Sequence, residues 1–294
     1  MNNLKKILCG ALALTLCLAL AACGGNGGNN GDNNNVENTY NTVTPGVLTV
    51  ATSPDYAPYE FYAIDENGTP NLAGFDIAMA QYIADYLGLT LEIVPMDFDG
   101  VLTELAAGTV DLGIAGLSPD PERADAMDFS MIYYEGKQAF VASTAKADQF
   151  SDLASLNNPN VTVAAQTGTI QMDLAATYSP DADLITLVKA TDIVAELISG
   201  KVDGAYLEYD VAKSYAANYP ELCIVCEVPN EDAGGNVVGV KKGNEALVDG
   251  VNKAIQACLD DGSFAQFISD AWELAAGETA SLVDGVIVPD SELE

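Results

Sequence analysis

Val110-Asp-Leu-Gly-Ile-Ala-Gly-Leu-Ser118-Pro-Asp-Pro-Glu-Arg123 decides how the rest of the chain is read. Its Val, Leu and Ile content reads as a buried strand. The run breaks at Gly116, and Ser118-Pro119 has the form of an N-cap with proline at the first helical position. A strand running into a helix N-terminus presents unpaired backbone N–H groups, which favour an anion. Arg123, five residues past that cap, is the only arginine in the sequence. Its planar fork suits a carboxylate better than lysine would. A solvated surface arginine is the ordinary alternative, and the uniqueness of Arg123 favours the anion site.

The segments around this stretch alternate between strand and helix. Val47 to Thr52 reads as a strand, followed by the tyrosine-rich, proline-broken loop Ser53-Pro-Asp-Tyr-Ala-Pro-Tyr59. Phe61 to Gly68 reads as a strand entering a turn, Gly74 to Gly88 as an amphipathic helix with a glycine C-cap, and Thr90 to Pro95 as a strand. A helix from Phe98 to Ala107, stopped by Gly108, leads into the opening stretch. This alternation predicts an α/β fold with a largely parallel sheet. Further on, Val161 to Gln171 reads as strand, glycine turn and helix start, and residues 247–259 and 264–274 read as helices. The tail from Gly277 carries a possible extra strand at Val283–Val288.

An internal repeat fixes the organisation. Glu104-Leu-Ala-Ala-Gly-Thr-Val-Asp-Leu-Gly-Ile114 matches Glu196-Leu-Ile-Ser-Gly-Lys-Val-Asp-Gly-Ala-Tyr206. Both read as helix, glycine stop and strand, at a separation too long for a solenoid. Two α/β lobes with one such unit each account for it. Ligands of open α/β sheets bind beyond the carboxyl ends of the strands. Following each copy to that end leads to Gly116–Ser118 in the first and to Glu208 in the second. Arg123 and Glu208 are therefore expected from facing lobes, a pair suited to a zwitterion.

Composition excludes whole classes of function. A formal charge of −32 argues against nucleic acid as a partner and reads most simply as solubility. The sequence contains no histidine, which removes Ser-His-Asp and Cys-His catalysis and His-containing zinc sites. No catalytic residue, metal or cofactor is expected. Lys5 and Lys6 precede an apolar run ending in Leu20-Ala-Ala-Cys23, too short to span a bilayer and read as a signal segment. The Gly- and Asn-rich residues after it cannot bury a core and read as a tether. Cys223 and Cys226 have CxxC spacing, but in a strand such residues point to opposite faces. A role as small buried hydrophobes is expected, with pairing to Cys258 left open.

Leu20-Ala-Ala-Cys23 resembles the lipobox of bacterial lipoproteins, in which the cysteine becomes the lipidated N-terminus. From Val47 to Trp272 the chain resembles the solute-binding proteins of bacterial amino-acid ABC importers. The resemblance rests on Tyr56-Ala-Pro-Tyr-Glu-Phe61, Gly74-Phe-Asp-Ile77, Gly108 to Arg123, Asp128-Phe-Ser130, Gly168-Thr169, Asp203 to Glu208, Gly239 to Asn244 and Asp261-Gly-Ser-Phe264. It implies the type II periplasmic binding protein fold: two α/β lobes with a central ligand cleft and a two-strand hinge. The expected organisation is a signal peptide over 1–22, a tether over 23–45, lobe 1 over 46–138, lobe 2 over 139–236 and a return to lobe 1 over 237–294.

Carried over by position, Arg123 would bind a ligand carboxylate, helped by N–H groups at Ser118 and Thr169. The Gly116 carbonyl, the Ser118 hydroxyl and Glu208 would receive the α-ammonium, with Tyr56 and Phe98 packing on the side chain. Phe98 also fits a plain helix-face role. Glu208 stands where aspartate is usual, and Ile170 where a hydroxyl residue is common. Ser53 stands where members binding basic amino acids have an acid, which argues for a neutral or apolar side chain. The implied partners are a free amino acid, a membrane-embedded permease and, through lipid on Cys23, the membrane itself, with the protein a monomer. A dehydratase-like enzyme and a non-transporting sensor are the alternatives on the same scaffold.

Overall fold

The computed structural model describes residues 38–230, 234–283 and 285–290. The signal segment, Cys23 and most of the tether lie outside these residues. The first half of the fold is a βαβαβ unit. Strand β1 (Val47–Thr52) is followed by a small antiparallel excursion, β2 (Asp55–Tyr56), β3 (Glu60–Ile64) and β4 (Pro70–Ala73). Helix α1 (Phe75–Leu87), strand β5 (Thr90–Pro95), helix α2 (Phe98–Ala107) and strand β6 (Leu112–Gly113) complete the unit. Helix α1 buries Phe75, Met79, Ala80, Ile83, Ala84 and Leu87, the spacing of one helix face. Gly88 and Gly108 end the two helices in the left-handed conformation at φ 70°, as their places in the sequence predict.

After β7 (Met127–Phe129) the chain crosses to a second sheet. That sheet contains β8 (Gln138–Ser143), β9 (Thr162–Gln166), β10 (Asp183–Leu187), β11 (Gly204–Glu208) and β12 (Leu222–Val228). Between its strands lie α3 (Ile170–Tyr178), α4 (Ala190–Ile198) and α5 (Tyr209–Asn218). The chain then returns as β13 (Gly239–Lys241), α6 (Glu245–Asp260) and α7 (Ser263–Ala275). It closes with a hairpin, β14 (Thr279–Val283) and β15 (Val286–Pro289), where the sequence suggests one strand.

The two large sheets have matching orders, β5-β1-β6-β13-β7 and β10-β9-β11-β8-β12. In each, four strands run in one direction and one, β13 or β8, runs against them, so the sheets are less uniformly parallel than the alternation suggests. The reason is connectivity. In the first sheet β13 arrives from the opposite lobe, and in the second β8 does. The two crossings run side by side and touch at the bridge between Tyr134 and Asn236. The repeat seen in the sequence is α2–β6 against α4–β11, and both of its strands lie at the middle of their sheets.

Two local readings need correction. The strand read from Val110 onward is only two residues long, because the backbone turns towards the cleft at Gly116. The predicted N-cap at Ser118 lies two residues too early. Asp120 is the cap, accepting from the Glu122 N–H, with Pro121 at the first position of a single 3-10 turn ending at Arg123. Both Ser118-Pro119 and Asp120-Pro121 satisfy the capping pattern, and the second wins because its carboxylate reaches the N–H. Cys223, Cys226 and Cys258 are all free thiols. Among the described residues no helix is long and apolar enough to cross a membrane.

Gly74 joins the excursion to α1 at φ 120°, and a Cβ there would lie 2.0 Å from the Tyr59 carbonyl oxygen. Gly74→Ala is expected to cost roughly 3 kcal/mol or more, combining a forbidden dihedral with a backbone clash. Urea denaturation checks this; a loss below about 1 kcal/mol would show that the Tyr59 loop yields freely.

Candidate functional site

The carboxyl ends of β1, β6, β9 and β11 converge on one cavity between the lobes. All eight residues singled out in the sequence line it: Ser53, Tyr56, Phe98, Gly116, Ser118, Arg123, Thr169 and Glu208. Asp55, Glu60, Gln138, Gln166 and Gln171 also line it and are absent from that set. Glu60 sits in the quoted Tyr56–Phe61 motif, so its position was available, but nothing in the sequence shows that it turns inward. Among the described residues no group of three or more His, Cys, Asp or Glu side chains is placed to hold a metal ion.

Arg123 crosses the cleft. Its Nη2 donates to the Gly168 carbonyl of the opposite lobe at 2.8 Å, and Nη1 to the Ser118 carbonyl at 3.2 Å. The guanidinium stands 5.8 Å from the Phe98 ring centroid and 3.6 Å from Asp120. Burial opposes the charge and lowers the guanidinium's pKa, while Asp120 and Asp173 act the other way. Phe98 thus serves both as helix-face packing and as a wall beneath the arginine. Thr169, the residue before α3, bonds through its hydroxyl to the Gln166 carbonyl at 2.7 Å instead of capping the helix. The start of α3 remains directed at the cavity through Ile170 and Gln171.

Opposite the arginine, Glu208 ends β11 and caps α5, its Oε2 accepting from the Val211 N–H at 2.9 Å. Its Oε1 is buried and has no hydrogen-bond partner. The nearby Tyr59 hydroxyl donates to Asn236 Oδ1 at 3.3 Å. Burial drives the Glu208 pKa up to about 8, with the Val211 N–H pulling it back and Asp210 adding repulsion. With no cation beside it, this carboxyl is mostly protonated at neutral pH.

Gly116 is fixed from both ends. Its N–H donates to Asp76 Oδ2 at 2.8 Å, and its carbonyl accepts from Asn236 Nδ2 at 2.8 Å. Its φ of 56° and the Tyr56 ring, 3.1 Å from where a Cβ would be, leave room only for glycine. Asp76 also accepts from the Tyr133 hydroxyl at 2.7 Å. Burial raises its pKa to about 6. Beside it, Glu60 is raised further, first by burial and then by the Asp76 charge, and Glu60 Oε2 meets no donor. Two facing carboxyls in a dry site keep a proton between them.

Comparison with known proteins agrees with this geometry. The family model of bacterial extracellular solute-binding proteins, family 3, matches residues 48–274. The arginine-binding extracellular protein ArtP of Bacillus subtilis is 31% identical over 88% of this chain and 94% of its own length. An amino acid ABC transporter substrate-binding protein from Streptococcus pneumoniae, solved bound to L-arginine, is 39% identical. It superposes with a TM-score of 0.73 over 78% of this chain and 94% of its own. The cyclohexadienyl dehydratase of Pseudomonas aeruginosa is 29% identical over 61% of this chain and 66% of its own. Two lobes of matching strand order, a cleft at their carboxyl ends and a family match from Leu48 to Leu274 lead to one assignment: the chain belongs to the bacterial extracellular solute-binding proteins of family 3 and has the type II periplasmic binding protein fold.

Proposed function

We propose that the cleft captures a free L-α-amino acid outside the cytoplasmic membrane and delivers it to an ABC permease without chemical change. The observation that carries this is the unpartnered Glu208 Oε1 across the cavity from Arg123. An α-ammonium supplies the missing donor, and an α-carboxylate takes the guanidinium donors now spent on Ser118 and Gly168 carbonyls. Charges buried in this way are tolerable only as fully paired sets. The lipobox-like Leu20 to Cys23 supports anchoring by lipid on Cys23, and two acyl chains hold a protein stably where one is marginal.

Two observations bear on the ligand side chain. Ser53, with the Tyr56 and Phe98 walls, favours a neutral or apolar one. Glu60 favours a cation, because its Oε2 is buried beside the cavity with no donor. Asp55 is not available for this, being engaged by the Ala190 N–H at 2.6 Å and by Ser53 and Gln166. This favours the cationic reading over the neutral one, since Glu60, protonated beside Asp76, can give up its proton to pair with a cation, whereas a neutral side chain gains nothing from it. An enzymatic role requires a proton donor, and Glu208 loses that capacity once an ammonium pairs with it. Product formation on incubation with candidate substrates would restore the enzymatic reading.

A thermal-unfolding panel of the common amino acids decides the class of ligand. The cognate one, at a hundredfold its Kd, should stabilise the fold by about 2.7 kcal/mol. Arginine or lysine should lead, with neutral amino acids well behind. A leading neutral amino acid restores the Ser53 reading, and no response to any amino acid overturns the proposal. Arg123→Ala should weaken binding roughly a hundredfold or more.

Binding should also move protons. The free Glu208 carboxyl, raised to about 8, is protonated at pH 6.5 and ionises as the ammonium arrives. Calorimetry in buffers of different ionisation enthalpy should record proton release, and affinity should rise with pH up to about 8. Glu208→Gln should abolish that share of the release. In the empty protein the sign is opposite for stability. Glu208 binds more protons folded than unfolded, so its contribution is complete below 4.5 and is lost as pH rises through about 8.

The anchor is tested by fractionation. Cys23→Ser should shift the protein from the membrane fraction to the soluble extracytoplasmic fraction or the medium. Continued membrane retention would mean that something other than lipid on Cys23 holds it.

A further inference from the structure

The lobes also meet away from the ligand pair, at the N-terminus of α4. Ala190, its first residue, donates its N–H to Asp55 of the other lobe at 2.6 Å, a carboxylate placed at the positive end of a helix. Lys189, the residue before it, sends Nζ to the Leu282 carbonyl in β14. A second bridge lies one helix away, where Asn218 Nδ2 at the end of α5 donates to the Ala275 carbonyl at 3.0 Å.

The hairpin that receives Lys189 is rigidly part of lobe 1. Strand β14 pairs with β3 at Ala63 and Tyr62, and the Ile64 N–H donates to the Glu278 carbonyl at 2.9 Å. Asp290 gathers the Thr279 and Ser281 hydroxyls, tying the two arms together. This hairpin lies wholly beyond residue 274, where the family match ends. Its Leu282 carbonyl receives the Lys189 side chain of lobe 2. The Tyr215 hydroxyl of α5 also donates to the Asp55 carbonyl at 2.9 Å, so the Lys189, Ala190, Tyr215 and Asn218 bonds all join residues of opposite lobes.

We propose that the C-terminal hairpin and Asp55 form a clasp on the start of α4 that holds the lobes closed independently of ligand and slows ligand release. Affinity in the family 3 cleft is then set partly by Lys189, Leu282 and Asn218, which do not line the cavity. Ligand escape requires opening, so interactions lost on opening appear chiefly in the dissociation rate.

The test uses the full chain carrying Lys189→Met and Asn218→Ala, which remove two of the side-chain donors that join the lobes away from the cavity and leave that of Tyr215 in place. Small-angle X-ray scattering of the ligand-free protein needs no knowledge of the ligand. Wild type should scatter as the closed form, and the double variant should show a larger radius of gyration with an unchanged far-UV circular dichroism spectrum. Lys189→Arg, which keeps a donor, should remain closed. With the amino acid identified by the panel, stopped-flow dissociation from the double variant should be faster by roughly three- to tenfold. A wild type that is already open without ligand, or a double variant with wild-type scattering, overturns the clasp. Either result stands even where no amino acid binds, so it is separable from failure of the transport reading.

Discussion

A carboxyl group buried without a full set of donors is the constraint on which this molecule turns. Moving an ionised carboxylate out of water costs several kcal/mol unless partners replace the lost hydration. Glu208 meets this half-way: one oxygen caps α5 through the Val211 N–H, and the other has no partner. The remaining cost is met by protonation, which raises the pKa to about 8. Such a group is poised. Its ionisation becomes favourable only when a positive charge enters the cleft, and the same event satisfies Arg123 on the facing lobe. Binding and charge neutralisation are therefore one step.

That step depends on the backbone between the charges being fixed. Gly116 is held by Asp76 through its N–H and by Asn236 through its carbonyl, and Asn236 lies in one of the two crossing segments. Tyr59 bonds Asn236 and packs on Phe75 of α1 with ring centroids 4.3 Å apart. Phe75 and Tyr134 pack edge-on against Phe264 of α7, so the hinge, the cleft loop and the core of lobe 1 form one packed unit. A shift of the hinge reaches Gly116 directly through Asn236. The cleft can thus report lobe position without a separate lever.

Much of this was legible in the sequence, and for definable reasons. The helices ended by Gly88 and Gly108 were readable because glycine in the left-handed region leaves a local mark. The pairing of Arg123 with Glu208 across the cleft followed from the repeat, since equivalent strand ends in two like sheets must face one cavity. The cap at Asp120 was not readable, because two Ser/Asp-Pro pairs stand in succession and only the fold selects between them. Glu60 and Asp55 escaped for a different reason. They lie on a short antiparallel excursion whose inward face depends on pairing with β4 and β14, strands distant in sequence or absent from the reading. Only half of the hairpin at 279–289 is legible in the sequence, since β-branched residues mark β15 while β14 gains its strand character from β3.

The carboxyls on the floor of the cavity link recognition of the side chain to the clamp on the backbone. Glu60 and Asp76 share a dry site and both are raised, so one proton serves two groups. Asp76 must stay anionic to hold the Gly116 N–H and the Tyr133 hydroxyl, both of which are donors. The proton therefore resides on Glu60 while the cleft is empty. On the proposed cationic reading, the ligand side chain displaces it and leaves Asp76 bonded as before, so the Gly116 loop keeps its shape. A neutral side chain leaves the proton where it is and gains nothing from Glu60. Selectivity for charge can thus be written into Glu60 without disturbing the Gly116 loop, because Asp76 stands between them as an unchanging acceptor.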